Sequence, residues 1–209
     1  MMTKKLTRPS LWKVFAARLK GQDFIYENFF KGKQTLDVGC GEGEFTVRAP
    51  EFITGVDLNP DAVARLKEKG IRAFVGNATK LPFPDASFEG SHCRNILEHL
   101  VIDDALAMLR EMERVVKPGG IVVVASEVVT SKFWHTFGHT KPYPPEAVMK
   151  VMRPVSRDRF QGVKHLEPQC VIYIGHYFRN KFLYALSVAI AYYLPILRRE
   201  YFLVLRKPD

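Results

Sequence analysis

The chain has 209 residues, 47% apolar and 25% charged, enough for one well-buried α/β domain and short for two. Cys40, Cys93 and Cys170 show no CxxC spacing, which argues against a zinc site or a disulfide framework and fits a reducing cytosol. The net charge of +9 sits on the ends, +6 over residues 1–33 and +4 over 179–209, against −1 between them. Such ends suit nucleic acid, anionic lipid or phosphorylated substrates, or simply a solvated surface.

In chain order, residues 10–30 space their apolar positions at helical intervals, as one helix or two broken at Gly21. The basic start lacks the apolar core and cleavage site of a signal peptide. "KQTLDVG" is a first strand running into a glycine loop, and residues 43–50 a short helix closed by Pro50. "FITGVDL" (52–58) is a second strand, followed by a helix capped by Asn59-Pro60 and ended at Lys69-Gly70. "IRAFVG" (71–76) is a third strand, and a turn-rich stretch leads to a fourth, Phe88 to Arg94. Residues 103–116 are an amphipathic helix stopping at Lys117-Pro118-Gly119-Gly120, and "IVVVAS" (121–126) is a fifth strand buried on both faces. A helix follows from about Pro145 to Met152, a sixth strand lies within 160–177, and "EYFLVLRK" (200–207) closes as the last strand. Strands alternating with helices imply right-handed βαβ units and a parallel sheet covered by helices.

Ligands of such sheets bind at the carboxyl ends of the strands. In "LDVGCGEGEF" the glycines 39, 41 and 43 follow G-x-G-x-G, whereas a dinucleotide site wants G-x-G-x-x-G and here Glu44 stands at the last glycine. Asp37, Glu42 and Glu44 would repel a diphosphate. Asp57, twenty residues after Asp37, can hold both hydroxyls of a ribose. A nucleoside with a positive centre and no phosphate fits, which describes S-adenosylmethionine.

"LDVGCGEGEFT", "GVDLNPDAV", "GNATKLPFPDASFE", "HCRNILEHL" and "EMERVVKPGGIVVV" together resemble the successive motifs of class I S-adenosylmethionine-dependent methyltransferases, closest to the type-11 small-molecule group. The resemblance covers roughly residues 34–126. It implies a doubly wound, mostly parallel seven-stranded sheet with the last strand antiparallel. It also implies a single domain over 1–209: a helical extension (1–32), a cofactor-binding half (33–126) and a substrate-side half (127–209). On the family pattern Asp37, Gly39, Cys40, Gly41 and Gly43 frame the methionine part of the cofactor, Asp57 holds the ribose, and Leu58 lies against the adenine. Asn77 and Ala78 meet the adenine edge. The family usually has an acid where Asn77 stands, and the amide carbonyl can still accept from the adenine amino group. Cys93, Arg94 and Asn95 lie beside the cofactor, with Arg94 either reaching a carboxylate or pointing outward.

Methyl transfer from a sulfonium needs alignment, dryness and, for a hydroxyl or carbon acceptor, a base. His135 and His139, interleaved with Trp134, Phe137 and Tyr143, suggest an aromatic-lined pocket with a histidine base; ordinary loop packing is the plain alternative. The resemblance favours His139, because "HTKPYPP" approximates a type-11 motif. His99 is read as helix-start structure, and His92 as a packed core histidine. No third ligand completes a metal site.

Residues 182–197 are apolar with basic flanks but short of the ~20 residues that span a bilayer. They form a buried helix (180–197), or one that cups a hydrophobic substrate or rests on a membrane surface with the basic ends on lipid. The resulting expectation is a cytoplasmic enzyme methylating a small, hydrophobic or lipid-linked molecule. Its rivals are an RNA methyltransferase, which the strand-four ending "CRNI" disfavours, and a cofactor-binding protein without catalysis. A nicotinamide enzyme ranks behind both.

Overall fold

The structure, a computed structural model, describes residues 21–152, 163, 165–175, 194 and 198–209. The helix expected before Gly21 and the apolar helix expected over 180–197 lie outside the described residues.

Seven strands form one sheet in the order β3-β2-β1-β4-β5-β7-β6. They are β1 (Thr35–Val38), β2 (Ile53–Asp57), β3 (Ala73–Val75), β4 (Phe88–Arg94), β5 (Val116–Glu127), β6 (Glu167–Gly175) and β7 (Arg198–Arg206). Thr35 pairs with Ile53 on one side and Gly90 on the other, both parallel. β7 runs antiparallel between β5 and β6. The order reverses at β1 and β4, so the ends of β1, β2 and β4 converge on one crevice.

After Gly21, with φ +48°, the chain forms α1 (Gln22–Ile25), which widens into a π-turn over Tyr26–Phe30. α2 (Pro60–Glu68) starts where Asn59 Oδ1 accepts from Asp61 N–H, with proline in its first turn, and Gly70 follows its end at φ +73°. The others are α3 (Ile102–Val115) and α4 (Pro145–Lys150). The helix expected over 43–50 reduces to a single 3₁₀ turn, Thr46–Arg48.

The junction after α3 also differs from expectation. Lys117 to Gly120 do not end the helix; Val116 is already paired with Phe88, and the strand resumes where Ile121 pairs with Gly90. The residues between form a bulge in β5. Lys207 accounts for it, donating its Nζ to the carbonyls of Glu113 and Val116 while its backbone N–H bonds Gly120 O. The end of β7 thus satisfies the helix terminus that a glycine cap would otherwise serve.

The sheet is apolar on both faces. Leu36, Val38, Val122, Val124, Leu203 and Leu205 pack with Met108, Leu109, Met112 and Val115 of α3. On the other face Ile53, Val123, Phe202 and Val204 pack with Ile25, Phe30 and Phe45. Each such side chain, once buried, contributes about 1.5–3 kcal/mol against the entropy of ordering it. The β-branched run of β5 is wholly buried from Val122 to Ala125, as its composition requires.

Candidate active site

The glycine loop turns over the ends of β1 and β2. Gly39 has φ +66°, and a methyl group there would run into the side chain of Ile96. Gly41 has φ +49°, yet a Cβ on it would meet nothing within 4 Å. The backbone demands glycine at this point and leaves the face above it open to a ligand. Gly43 is a packing residue, because a Cβ would come within 2.6 Å of Leu66 on α2.

Two carboxylates hold this loop from different sides. Asp57, half-buried at the end of β2, accepts from Gly41 N–H through Oδ2 and from Asn59 N–H through Oδ1, each at 2.8 Å. Each oxygen keeps a further acceptor position. Asp37 is buried in β1, where Oδ2 accepts from the Thr46 hydroxyl and Oδ1 from His92 Nδ1–H, again both at 2.8 Å. The His92 ring stacks on Phe45 with centroids 3.9 Å apart, and its Nε2 is buried without a partner. Asp37 therefore braces the loop from beneath. The expected core histidine is its counterpart.

The remaining site residues divide. Leu58 is 69% exposed beside Asp57, a flat apolar surface at the crevice, and Ala78 is half-buried after β3. Asn77 Oδ1 accepts from both the amide and the hydroxyl of Thr79. That spends the oxygen assigned to the adenine amino group; the free group of Asn77 is its NH₂, a donor suited to a ring nitrogen. Asn95 stands exposed at φ +56°. Cys93 is wholly buried among the α3-side core residues, and burial pushes its thiol up. Cys40 is raised to about 12 by burial and then by Asp37 and Asp57. Neither thiol is a nucleophile at neutral pH.

Arg94 donates to both oxygens of Glu200 on β7, at 2.5 and 3.1 Å, and to Glu44 of the glycine loop at 2.9 Å. Burial opposes its charge, and the two carboxylates more than offset that. Arg94 thus ties β4 to β7 and to the glycine loop. Arg65 is likewise held by Glu42, at 2.6 Å. Among the described residues the arginines that reach Glu42 and Glu44 are paired with them, and Asp57 is the acid at the loop that no arginine meets. An uncharged ribose and a cationic sulfonium fit this loop.

The substrate side is built after β4 and β5. A 3₁₀ turn, Leu97–His99, follows β4, and the strap from Val128 to Tyr143 is laced to it. Thr140 N–H donates to Glu98 O, the Thr140 hydroxyl and Tyr143 OH donate to Leu100 O, and His99 Nδ1–H donates to Gly138 O. His139 is half-buried between Phe133 and His99, with centroids 4.4 and 4.9 Å away. Its Nδ1–H donates to Phe133 O at 2.8 Å, so Nε2 keeps the lone pair of an oriented base. His135 is exposed. Of the aromatic residues here Phe133 is buried, with the Trp134 ring edge-on to it at 5.1 Å, while Trp134 and Phe137 are exposed.

Glu98 was missed in the sequence, although it adjoins His99. It is fully buried, with Oε2 accepting from the Ser126 hydroxyl at 2.8 Å and Oε1 unpartnered. Burial raises its pKa above the ordinary carboxylate value, outweighing the Ser126 bond. Within the raised window the folded state keeps a proton that the unfolded state has released, so stability falls as pH rises through it. Glu98→Gln removes that titration. Its melting temperature relative to the native chain should climb as pH rises above the ordinary carboxylate value, at about 2–4 °C per kcal/mol relieved. Thermal melts would show it; a constant offset at all pH values would contradict the assignment.

A family model described as a methyltransferase domain matches residues 36–124. Over 113 residues the chain is 34% identical to a demethylmenaquinone methyltransferase of Geobacillus stearothermophilus, covering 46% of each protein. It thus spans about half the length of that curated relative. Among solved structures, a geranyl diphosphate methyltransferase in complex with GPP and sinefungin aligns with a TM-score of 0.64 at 16% identity, over 88% of this chain and 77% of that one. The [4+2]-cyclase SpnF aligns with a TM-score of 0.63 at 20% identity, over 90% and 80%. At these identities the structural likeness is one of fold, and a fold can host more than one chemistry.

Proposed function

We propose, from the premise that residues 36–124 are a class I S-adenosylmethionine-dependent methyltransferase domain, that the chain transfers a methyl group to a small, hydrophobic or lipid-linked acceptor. The observation that carries this reading is the cradle at Gly41, open above, with Asp57 at its edge and Leu58 beside it. The name of the demethylmenaquinone methyltransferase relative favours an apolar acceptor over a nucleic acid.

In this reading Asp57 takes the ribose hydroxyls on its remaining lone pairs, while Leu58, Ala78 and the Asn77 amide take the adenine. The loop from Gly39 to Gly43, with Cys40 among its backbone, lines the methionyl end, and the main chain from Cys93 to Asn95 closes the far side. When bound there, S-adenosylmethionine supplies a methyl group on a sulfonium, a leaving group that needs no proton. His139 Nε2, aimed by the bond from its Nδ1–H to Phe133 O, takes the proton from an acceptor hydroxyl or carbon acid. His135, exposed on the same strap, is the second candidate.

The test is transfer of a labelled methyl group into lipid, aqueous-metabolite and RNA fractions of a cell extract. Label in the lipid fraction supports the proposal; label in RNA, or tight cofactor binding with no transfer, favours a rival. His139→Ala should lower kcat by about 100-fold or more, the usual contribution of a general base, with cofactor affinity unchanged. Unaltered kcat would remove His139 from the mechanism and turn attention to His135.

A further inference from the structure

Both ends of the strap over 128–143 are held by the first residues of β7. At its start Val128 N–H donates to Arg199 O at 3.0 Å. At its end Tyr143 O accepts from the Tyr201 phenol at 2.5 Å. Between these two, Glu200 takes Arg94, which also reaches Glu44 of the glycine loop. Successive side chains of a strand point to opposite faces, so Tyr201 packs into the α3-side core while Glu200 turns away from it. Three consecutive residues of β7 thus meet the strap twice and the cofactor loop once.

Tyr201 is wholly buried, and so is Ser126, which stands directly opposite it in the β5–β7 ladder. The Ser126 hydroxyl donates to Glu98 Oε2, and Glu98 O accepts from the backbone of Thr140, the residue after His139, at 2.8 Å. Polar groups inside the core therefore line up from Tyr143 through Tyr201, Ser126 and Glu98 back to Thr140. Burial holds the Tyr201 phenol well above its ordinary pKa, against the pull of the Ser126 hydroxyl, so it keeps its proton and stays a donor. A phenylalanine would fill the same core space with no O–H to satisfy. What the tyrosine adds is a bond to a carbonyl of the strap, outside the sheet. His139 and Phe133, whose carbonyl takes His139 Nδ1–H, both lie between the two places where β7 holds the strap.

From this we infer that Tyr201 is a positioning residue of the acceptor side: by holding Tyr143 O, with Ser126 and Glu98 behind it, it fixes the strap and, through the strap, the orientation of His139. Methyl transfer depends on alignment, and a reacting group is only as well placed as the residues that support it. The consequence for the reaction rests on the reading of His139 as the base. The placement of the strap does not.

The experiment is nitrogen NMR and amide exchange on the isotope-labelled full chain with S-adenosylhomocysteine, at a pH where the imidazoles are neutral, with His139→Ala identifying the His139 signals. In the native chain His139 should show one tautomer, with its proton on Nδ1. In Tyr201→Phe it should average between tautomers, and Thr140 N–H should exchange at least about 10-fold faster while Val122 to Ala125 stay within about 2-fold. Ser126→Ala should give the same pattern at smaller size, and it takes over should Tyr201→Phe fail to fold. Labelled-methyl transfer into the lipid fraction should fall at least about 10-fold in Tyr201→Phe with affinity for S-adenosylhomocysteine kept, and no further when that change is added to His139→Ala. An unchanged tautomer with Thr140 still protected would overturn the proposal, as would a native His139 that already averages. Exchange that rises equally in β5 and the strap would also overturn it, being the mark of a core residue alone. If His139→Ala leaves transfer unaltered, the base reading fails and the NMR still decides the role of Tyr201; if only the NMR fails, the base reading stands.

Discussion

Asp57→Ala should lower the affinity for S-adenosylmethionine and S-adenosylhomocysteine by at least about 100-fold in calorimetric titration. Two charge-assisted hydrogen bonds to ribose hydroxyls would be lost, each contributing about 1.5–3 kcal/mol. The same change releases Gly41 N–H and Asn59 N–H, both bound to this carboxylate at 2.8 Å, so the loop loses its outer tether as well. The two effects separate in Asp57→Asn. The amide oxygen can keep one tether, but its NH₂ then faces the other backbone N–H, donor against donor, and one ribose acceptor is gone. An intermediate loss of affinity is the expected result there. Retention of full affinity in Asp57→Ala would move the ribose elsewhere and with it the whole placement of the ligand. The stability of this variant should fall little, because Asp57 is only half-buried and water can reach the freed amides.

What could be read from the sequence follows the range of the interactions involved. The first five strands are short apolar runs punctuated by glycine and proline, and Asn59-Pro60 with Gly70 brackets α2 by local chemistry alone. The cradle was legible for the same reason: three glycines and the Asp37–Asp57 spacing are local patterns. The partners of those residues were not. Arg94 meets Glu200 across 106 positions and Asp37 meets His92 across 55, and both contacts exist only because β7 lies beside β5 and β4 beside β1. The bulge at Lys117–Gly120 was hidden for a like reason, since Lys207 caps α3 from the far end of the chain. The strap was less legible. Its interleaved aromatic residues supported a pocket and plain loop packing alike, and their type could not tell that Phe133 is buried while Trp134 and Phe137 are exposed. Residue type carries apolarity but not direction wherever no period sets it.

Asp37→Ala is expected to cost the folded protein about 2–5 kcal/mol, with a fall in melting temperature on the order of 10 °C. The carboxylate is 3% exposed and serves two groups that are themselves buried, the Thr46 hydroxyl and His92 Nδ1–H. Removing it leaves both donors unsatisfied, at about 1–3 kcal/mol each. His92 is the harder case, because its Nε2 already lacks a partner and its ring is fixed against Phe45. With both nitrogens unpaired, the imidazole would have no hydrogen bond in an apolar layer. A second substitution tests this account: His92→Phe keeps the stack on Phe45 and removes the orphaned nitrogens. Asp37→Ala combined with His92→Phe should therefore recover part of the loss, a coupling of about 1–3 kcal/mol in a double-mutant cycle. Additive losses would mean that the two residues do not act as a pair. The cofactor site gives an independent reading of the same brace. Thr46 lies just past the glycine loop, so a loop freed from beneath should bind S-adenosylhomocysteine more weakly in Asp37→Ala even at temperatures where the variant is fully folded.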